Sequence, residues 1–289
     1  MAFTAADVKN LREMTGVGMM DCKKALVASD GDMDKAIEFL REKGLAASAK
    51  KAGRIAAEGM AYAAVIDGVG VVVEVNAETD FVGKNEKFVD FVKGVAATVV
   101  ANKPADLDAL MACKYADTDN TVTEQQQEMV LVIGENIKVR RFAFYTEGVC
   151  VPYIHAGGKI GVLVNLETSL TAEQVNECGK DVAMQIAALN PRFWDKSNVT
   201  EEVMEEEKKI ALALMDQDPK MASKPQQVKE KIVLGKLNKF YEENCLLQQE
   251  FVKDNSMSVE KYIASAAKAL GGSVKFVDAV RFMKGEGIE

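Results

Sequence analysis

One block of this sequence occurs twice. Residues 88–104 align without gaps on residues 175–191, placing Lys93 on Lys180, Val95 on Val182, Ala96 on Ala183, Ala101 on Ala188 and Pro104 on Pro191. In the first copy Phe88, Phe91, Val92, Val95 and Val99 recur at helical spacing, and the spacing predicts a helix from Glu86 to about Asn102. An apolar β-rich run precedes each copy, starting at Gly70 and at Gly161. Another follows each, Ile137 up to Gly148 and Val274 up to Gly285. Strand, helix, strand, met twice in one order, points to a duplicated α+β core. Met60–Ile66 lies before the first run, separated from it by a Gly-bounded turn, and predicts a β-hairpin with Gly70–Asn76.

The two copies differ in one loop. Strand to helix takes eighteen residues from Gly70 to Phe88 but fourteen from Gly161 to Val175. The extra residues fall in Asn76-Ala77-Glu78-Thr79-Asp80-Phe81-Val82-Gly83. A lengthened loop on a duplicated scaffold is where function tends to be added. Phe81 is large and apolar in an otherwise polar turn. On the residues alone it either packs beneath its own loop or faces a partner, and both readings stand.

Three short helices are predicted ahead of the core. Thr4 caps the first, which carries Val8, Leu11 and Arg12 and breaks at Thr15-Gly16-Val17-Gly18. The second runs from Met19 to about Ala28, and the third from an Asp32 cap through Met33 to Lys43, with Gly44 closing it. Roughly 40 residues make a marginal core, as is usual for an interaction module. Ala46–Ala57, rich in Ala, Lys and Gly, reads as a linker, open to being helical in part. Copy two carries an insertion with a charged helix (Glu201–Met215), a turn through Asp216-Gln217-Asp218-Pro219, and a helix from Pro225 to about Glu243. Val203, Ile210 and Leu214 on one helix, with Val228, Ile232, Leu237 and Phe240 on the other, suggest an antiparallel hairpin, completed by a shorter helix from Val259 to Leu270.

Composition narrows the function classes. A net charge of −8 argues against nucleic acid as the main partner. No run of about 18 apolar residues exists for a membrane span. The opening Met1-Ala2-Phe3-Thr4-Ala5-Ala6-Asp7 lacks the pattern of a signal peptide. Five scattered cysteines, none in a Cys-x-x-Cys pair, suit a reducing compartment, and cytoplasm is the expected location. His155 is the single histidine, so a His-based metal cluster or catalytic pair has little to build on. Phosphate-cradling glycine loops are absent, so no cofactor is expected. Acidic groups such as Asp117 with Asp119, or Glu205-Glu206-Glu207, fall in loop or solvated-helix contexts, which do not suit general acid–base work. The expectation is a binding protein rather than an enzyme.

The run Leu11-Arg12-Glu13-Met14-Thr15-Gly16-Val17-Gly18-Met19-Met20-Asp21-Cys22-Lys23-Lys24-Ala25-Leu26 resembles the opening of the elongation factor Ts family. Thr79-Asp80-Phe81-Val82 resembles that family's central motif. Ile133-Gly134-Glu135-Asn136-Ile137 and Tyr153-Ile154-His155 with Gly161-Val162-Leu163-Val164 extend the likeness over essentially the whole chain, in order.

The resemblance implies an α+β, multidomain protein that exchanges guanine nucleotide on the GTPase elongation factor Tu by disturbing its Mg²⁺/phosphate site. It implies a ubiquitin-associated-like module with linker (1–54), a first α+β subdomain with the Thr79–Val82 loop (55–148), a second (149–199 and 271–289), and a dimerisation-type helical insertion (200–270). Asp80 and Phe81 would intrude beside the partner's nucleotide. Thr79 and Val82, in the same motif, would contact the partner beside them. Arg12, Met19 and Met20 would hold the partner's nucleotide-binding domain, with Ile133, Gly134 and His155 adding core contacts. A homodimer through the insertion is the second partner implied; nucleic acid and membrane are not. The chain stops at Gly285-Glu286-Gly287-Ile288-Glu289, where some members continue into a further helix, so contacts made there do not carry over. Two rival readings make different predictions. A generic adaptor would bind through residues 1–54 unaided, and an enzyme with an α+β core would depend on His155.

Overall fold

A computed structural model describes residues 3–116, 118–218 and 224–289. Met1, Ala2, Asp117 and Pro219, each named in the reading above, lie outside them. The chain divides into two compact units. The first comprises Met1–Glu147, Pro152–Leu163 and Val280–Glu289, and the second Gly148–Val151 and Val164–Ala279.

The first unit opens with α1 (Ala5–Thr15), α2 (Met19–Ala28) and α3 (Met33–Lys51). Thr4 starts α1 through a capping box with Asp7, and Gly16, at φ 66°, ends it in the left-handed conformation that glycine adopts without steric cost. Asp32 caps α3 as expected. Gly44 does not close α3: the helix runs on to Lys51 and takes in the first half of the proposed linker. The reason is tertiary. A Cβ on Gly44 would lie 3.3 Å from the carbonyl oxygen of Gln127, so glycine here lets α3 approach the backbone of the helix over residues 122–133.

Next come β1 (Glu58–Ile66), β2 (Val69–Ala77), α4 (Glu86–Asn102), α5 (Leu107–Ala112), α6 (Val122–Ile133) and β3 (Lys138–Tyr145). The strands form an antiparallel sheet in the order β1-β2-β3. Phe88, Phe91, Val92, Val95 and Val99 of α4 pack on Val71, Val73 and Val75 of β2 in one buried core. α5 and α6 were not anticipated. Thr121 and Glu124 form a capping box at the start of α6, and that Thr-x-x-Glu spacing was the available signal. α6 contributes to two cores: Met129 and Val130 face the sheet, whereas Leu131 and Val132 complete the core of α1–α3 around Leu11 and Leu26. α6 therefore links the core of the N-terminal helices to that of the sheet.

β4 (Val149–His155), β5 (Ile160–Thr168) and β8 (Val274–Met283) form a second three-stranded sheet in the order β4-β5-β8, and the boundary between the units falls across these strands. In the second unit, α7 (Ala172–Leu189) occupies the place of α4 in the repeat. α4 ends on Lys103 at φ 49° and α7 on Asn190 at φ 46°. Those residues are equivalent in the alignment, and each precedes an aligned proline. Two helices stopped by the same rare backbone conformation strengthen the case for duplication.

α8 (Glu201–Gln217) and α9 (Gln226–Asn244) pack together as the inserted hairpin. Their contact is built from Ala211, Met215 and Val233, with Leu212, Ile232 and Leu237 beside it. Ile210, Leu214 and Val228, expected to face inward, are exposed instead. The seam lies one residue further round α8 than its large apolar residues suggest. A small hairpin, β6 (Glu250–Phe251) and β7 (Asp254–Ser258), follows, then α10 (Val259–Leu270). α10 packs on α7: Tyr262 donates to the buried Asp181 carboxylate at 2.7 Å and stacks on Phe251 with ring centroids 4.0 Å apart. By these contacts α10 is joined to α7.

Candidate partner-binding site

Between β2 and α4 the first unit carries an eight-residue connection, residues 78–85, where β5 and α7 are joined by residues 169–171 only. The two residues at its centre project into solvent. Asp80 is exposed, and Phe81 is 80% exposed despite being wholly apolar. That rules out Phe81 packing beneath its own loop. Thr79 and Val82 turn the other way. Val82 is buried in the core under α4. Thr79 donates its hydroxyl to the Glu135 carboxylate at 2.7 Å.

The same loop is fastened at both ends. Glu135 Oε2 accepts from the backbone N–H of Glu78 (3.1 Å) and of Thr79 (3.0 Å). In return, Glu78 Oε1 accepts from the backbone N–H of Asn136 at 2.6 Å. Arg54 closes the ring, its guanidinium 3.3 Å from Glu78 and its carbonyl accepting from Asn136 Nδ2 at 2.8 Å. Beyond Phe81 the chain makes a tight turn over Val82–Lys84, and Asn85 caps α4 by accepting from the N–H groups of Lys87 and Phe88.

Phe81 forms one wall of a cleft of about 400 Å³ lined also by Arg12, Gly16, Val17, Gly18, Val82 and Ile133. The fold thus brings four of the ten candidate residues, Arg12, Phe81, Val82 and Ile133, to one place. Lys87 Nζ spans it, donating to the Gly16 carbonyl at 3.1 Å and tying α4 to the end of α1. Met19 and Met20 begin α2 directly after Gly18 and are 43% and 63% exposed, a soft and adaptable apolar surface. Gly134 ends α6 at φ 88° and is exposed. His155 does not line the cleft. It is exposed on β4, its Nδ1 3.0 Å from the Tyr153 hydroxyl.

Phe81, Met19 and Met20 give this site an exposed apolar surface. Among the described residues no group of three His, Cys, Asp or Glu side chains is placed to hold a metal ion. A projecting aromatic ring, exposed methionines and a nearby arginine are the residue types that anchor protein–protein interfaces. Sequence reasoning missed Glu78, Glu135 and Lys87 as parts of this site. Glu135 sits inside a recognised motif, but its partners are 56 and 57 residues away, beyond the reach of any local pattern.

A family model described as elongation factor TS matches residues 78–286, beginning at the loop itself. The chain is 47% identical over 292 residues to the elongation factor Ts of Syntrophotalea carbinolica, a match covering 100% of this chain and 95% of that protein. It is 46% identical over 293 residues to the elongation factor Ts of Clostridium kluyveri, covering 99% of this chain and 94% of the other. The chain belongs to the elongation factor Ts family. The family model spans α4 to α6, β3, the second sheet and the inserted hairpin, and the full-length relatives extend the match to β1, β2 and the N-terminal helices. No helix among the described residues is long and apolar enough to cross a membrane.

Proposed function

We propose that this chain is a guanine-nucleotide exchange factor that binds elongation factor Tu and promotes GDP release by disturbing its Mg²⁺/phosphate site. The observation that carries the proposal is Phe81, four-fifths exposed on a loop held by its flanks and set beside Arg12 in one cleft. An exposed phenylalanine contributes nothing to its own fold, and burial in a partner's apolar slot is worth roughly 1.5–3 kcal/mol.

Exchange is a coupling between two ligands on one GTPase. A factor that weakens the hold on GDP must be weakened by GDP in equal ratio. GTPases grip phosphate partly through Mg²⁺ and ordered switch segments, so a wedge against that region loosens the nucleotide. Phe81 anchors the wedge and Asp80 carries a negative charge to its tip. Arg12, Met19 and Met20 hold the partner from the N-terminal helices, with Ile133, Gly134 and His155 extending the contact. Thr79 and Val82 keep the wedge in place. One ring supplies about one to two decades of the effect at 1.4 kcal/mol per tenfold, so the remaining contacts share the rest.

The work is divided among the segments 1–54, 55–148, 149–199 with 271–289, and 200–270. The inserted hairpin presents Ile210, Leu214, Val228 and Leu234 outward, which supports self-association. Light scattering that finds only monomer at high concentration would end the dimer reading. Five scattered cysteines, none in a Cys-x-x-Cys pair, fit a reducing, cytoplasmic setting.

The test follows release of fluorescent GDP from elongation factor Tu after adding a small fraction of an equivalent of this protein. Fast release repeated over many partner molecules is expected. No acceleration by the folded protein would overturn the reading.

A further inference from the structure

We infer that Glu135 is a positioning residue, holding the turn that carries Asp80 and Phe81 in its projecting form before a partner arrives. The inference rests on the exchange reading above and deepens it.

Phe81 has no packing of its own to hold it, so its placement depends on what grips the chain on either side. On the far side Val82 is buried, and Gly83 lies against β1, where a Cβ would come 2.8 Å from the Gly59 carbonyl oxygen. On the near side the chain has left the β2 ladder after Ala77, and the N–H groups of Glu78 and Thr79 need new acceptors. Glu135 supplies one carboxylate oxygen to both N–H groups and the other to the Thr79 hydroxyl. These are charge-assisted bonds from a half-buried group, stronger than neutral ones. The reciprocal bond from the Asn136 N–H to Glu78 fixes the end of α6 to the loop at the same time. Ile133 lies on that helix end and lines the cleft with Phe81, so the latch sets two contact residues in mutual register.

The consequence is a matter of populations. If only a fraction of molecules hold the loop in the competent form, the apparent affinity falls by that fraction. A Glu135→Ala variant whose loop is competent about one-tenth of the time needs about tenfold more protein for half-maximal GDP release, with the maximal rate unchanged. Glu135→Gln separates positioning from charge. Its amide oxygen can accept from both backbone N–H groups while its NH₂ donates to the Thr79 hydroxyl, so the latch persists without the negative charge.

The experiment measures GDP release from elongation factor Tu against factor concentration for wild type, Glu135→Ala and Glu135→Gln. Hydrogen exchange at the Thr79 amide of each free protein is measured alongside. The inference predicts a roughly tenfold rise in half-maximal concentration and loss of Thr79 protection for Glu135→Ala, with Glu135→Gln within about twofold of wild type on both. Should Glu135→Ala not fold, Thr79→Val removes one of the latch bonds and is expected to shift the half-maximal concentration about twofold to threefold the same way. A folded Glu135→Ala, or in its place Thr79→Val, indistinguishable from wild type overturns the positioning role and leaves the exchange reading intact. Glu135→Gln as poor as Glu135→Ala with Thr79 still protected also overturns it, in favour of a direct charge contact with the partner. A wild-type protein that fails to accelerate release overturns the exchange reading, and this inference with it.

Discussion

Gly83 sits so close to Gly59 that a Cβ on it would lie 2.8 Å from the Gly59 carbonyl oxygen. The obstacle is backbone on both sides, so no rotamer change can relieve it. Gly83→Ala is therefore expected to push the turn bearing Phe81 away from β1 and to destabilise the protein by about 1–3 kcal/mol, as overpacking does. Urea denaturation measures this. Gly53→Ala is the control, since a Cβ there meets nothing within 4 Å, and it should change stability by no more than about 0.5 kcal/mol.

Phe81→Ala separates stability from function. The ring is 80% exposed, so the unfolding free energy should stay within about 0.5 kcal/mol of wild type. GDP release at sub-saturating factor should fall by about one to two decades. A lowered melting temperature with normal exchange would contradict the interface role.

Gly44 tests how the N-terminal helices are held. Its Cβ would lie 3.3 Å from the Gln127 carbonyl oxygen, a contact that a small shift can absorb. Gly44→Ala is expected to be close to neutral, because a gain in helix propensity of about 1 kcal/mol offsets the crowding. Gly44→Leu cannot be absorbed in the same way. It should cost about 1–3 kcal/mol and raise hydrogen exchange at the buried Leu40 and Leu26 amides.

Glu74 sets an acid limit on stability. It is fully buried and accepts from Arg140 at 2.9 Å, Arg141 at 2.5 Å, Asn76 at 3.0 Å and the Gly285 N–H at 2.8 Å. Burial alone would raise its pKa. The bonds from Asn76, Gly285, Arg140 and Arg141 outweigh it and hold the carboxyl below its ordinary 4.5. A depressed folded-state value contributes stability that is present above 4.5 and lost as pH falls through the lower folded value. Thermal melts should thus lose stability below about pH 4.5, and Glu74→Gln should flatten that slope. The variant should also cost about 3 kcal/mol at neutral pH, the low end for breaking a buried pair, because both arginines remain partly hydrated.

Much of the scaffold was legible because it is written in short-range patterns. Thr4, Asp32 and the apolar spacing of α4 each act within a turn or two of helix, and the structure follows them. The readings that failed were those in which a distant surface overrides a local preference. Gly44 reads as a helix end but serves as a close-packing point against α6. Ile210 and Leu214 read as a seam, yet the smaller Ala211 and the flexible Met215 let α9 approach.

The candidate site divides along the same line. The repeat located the loop by comparing its two copies, because an insertion in one copy is a property of the sequence itself. Which way Phe81 points was undetermined until burial of Val82 and the Glu135 latch oriented the chain on either side of it. Sequence carries residue type and local spacing, and those determined the elements and the place of the loop. Only tertiary structure joined Arg12, Phe81 and Ile133 in one cleft, since hydrogen bonds and packing act through space between residues that the chain keeps far apart.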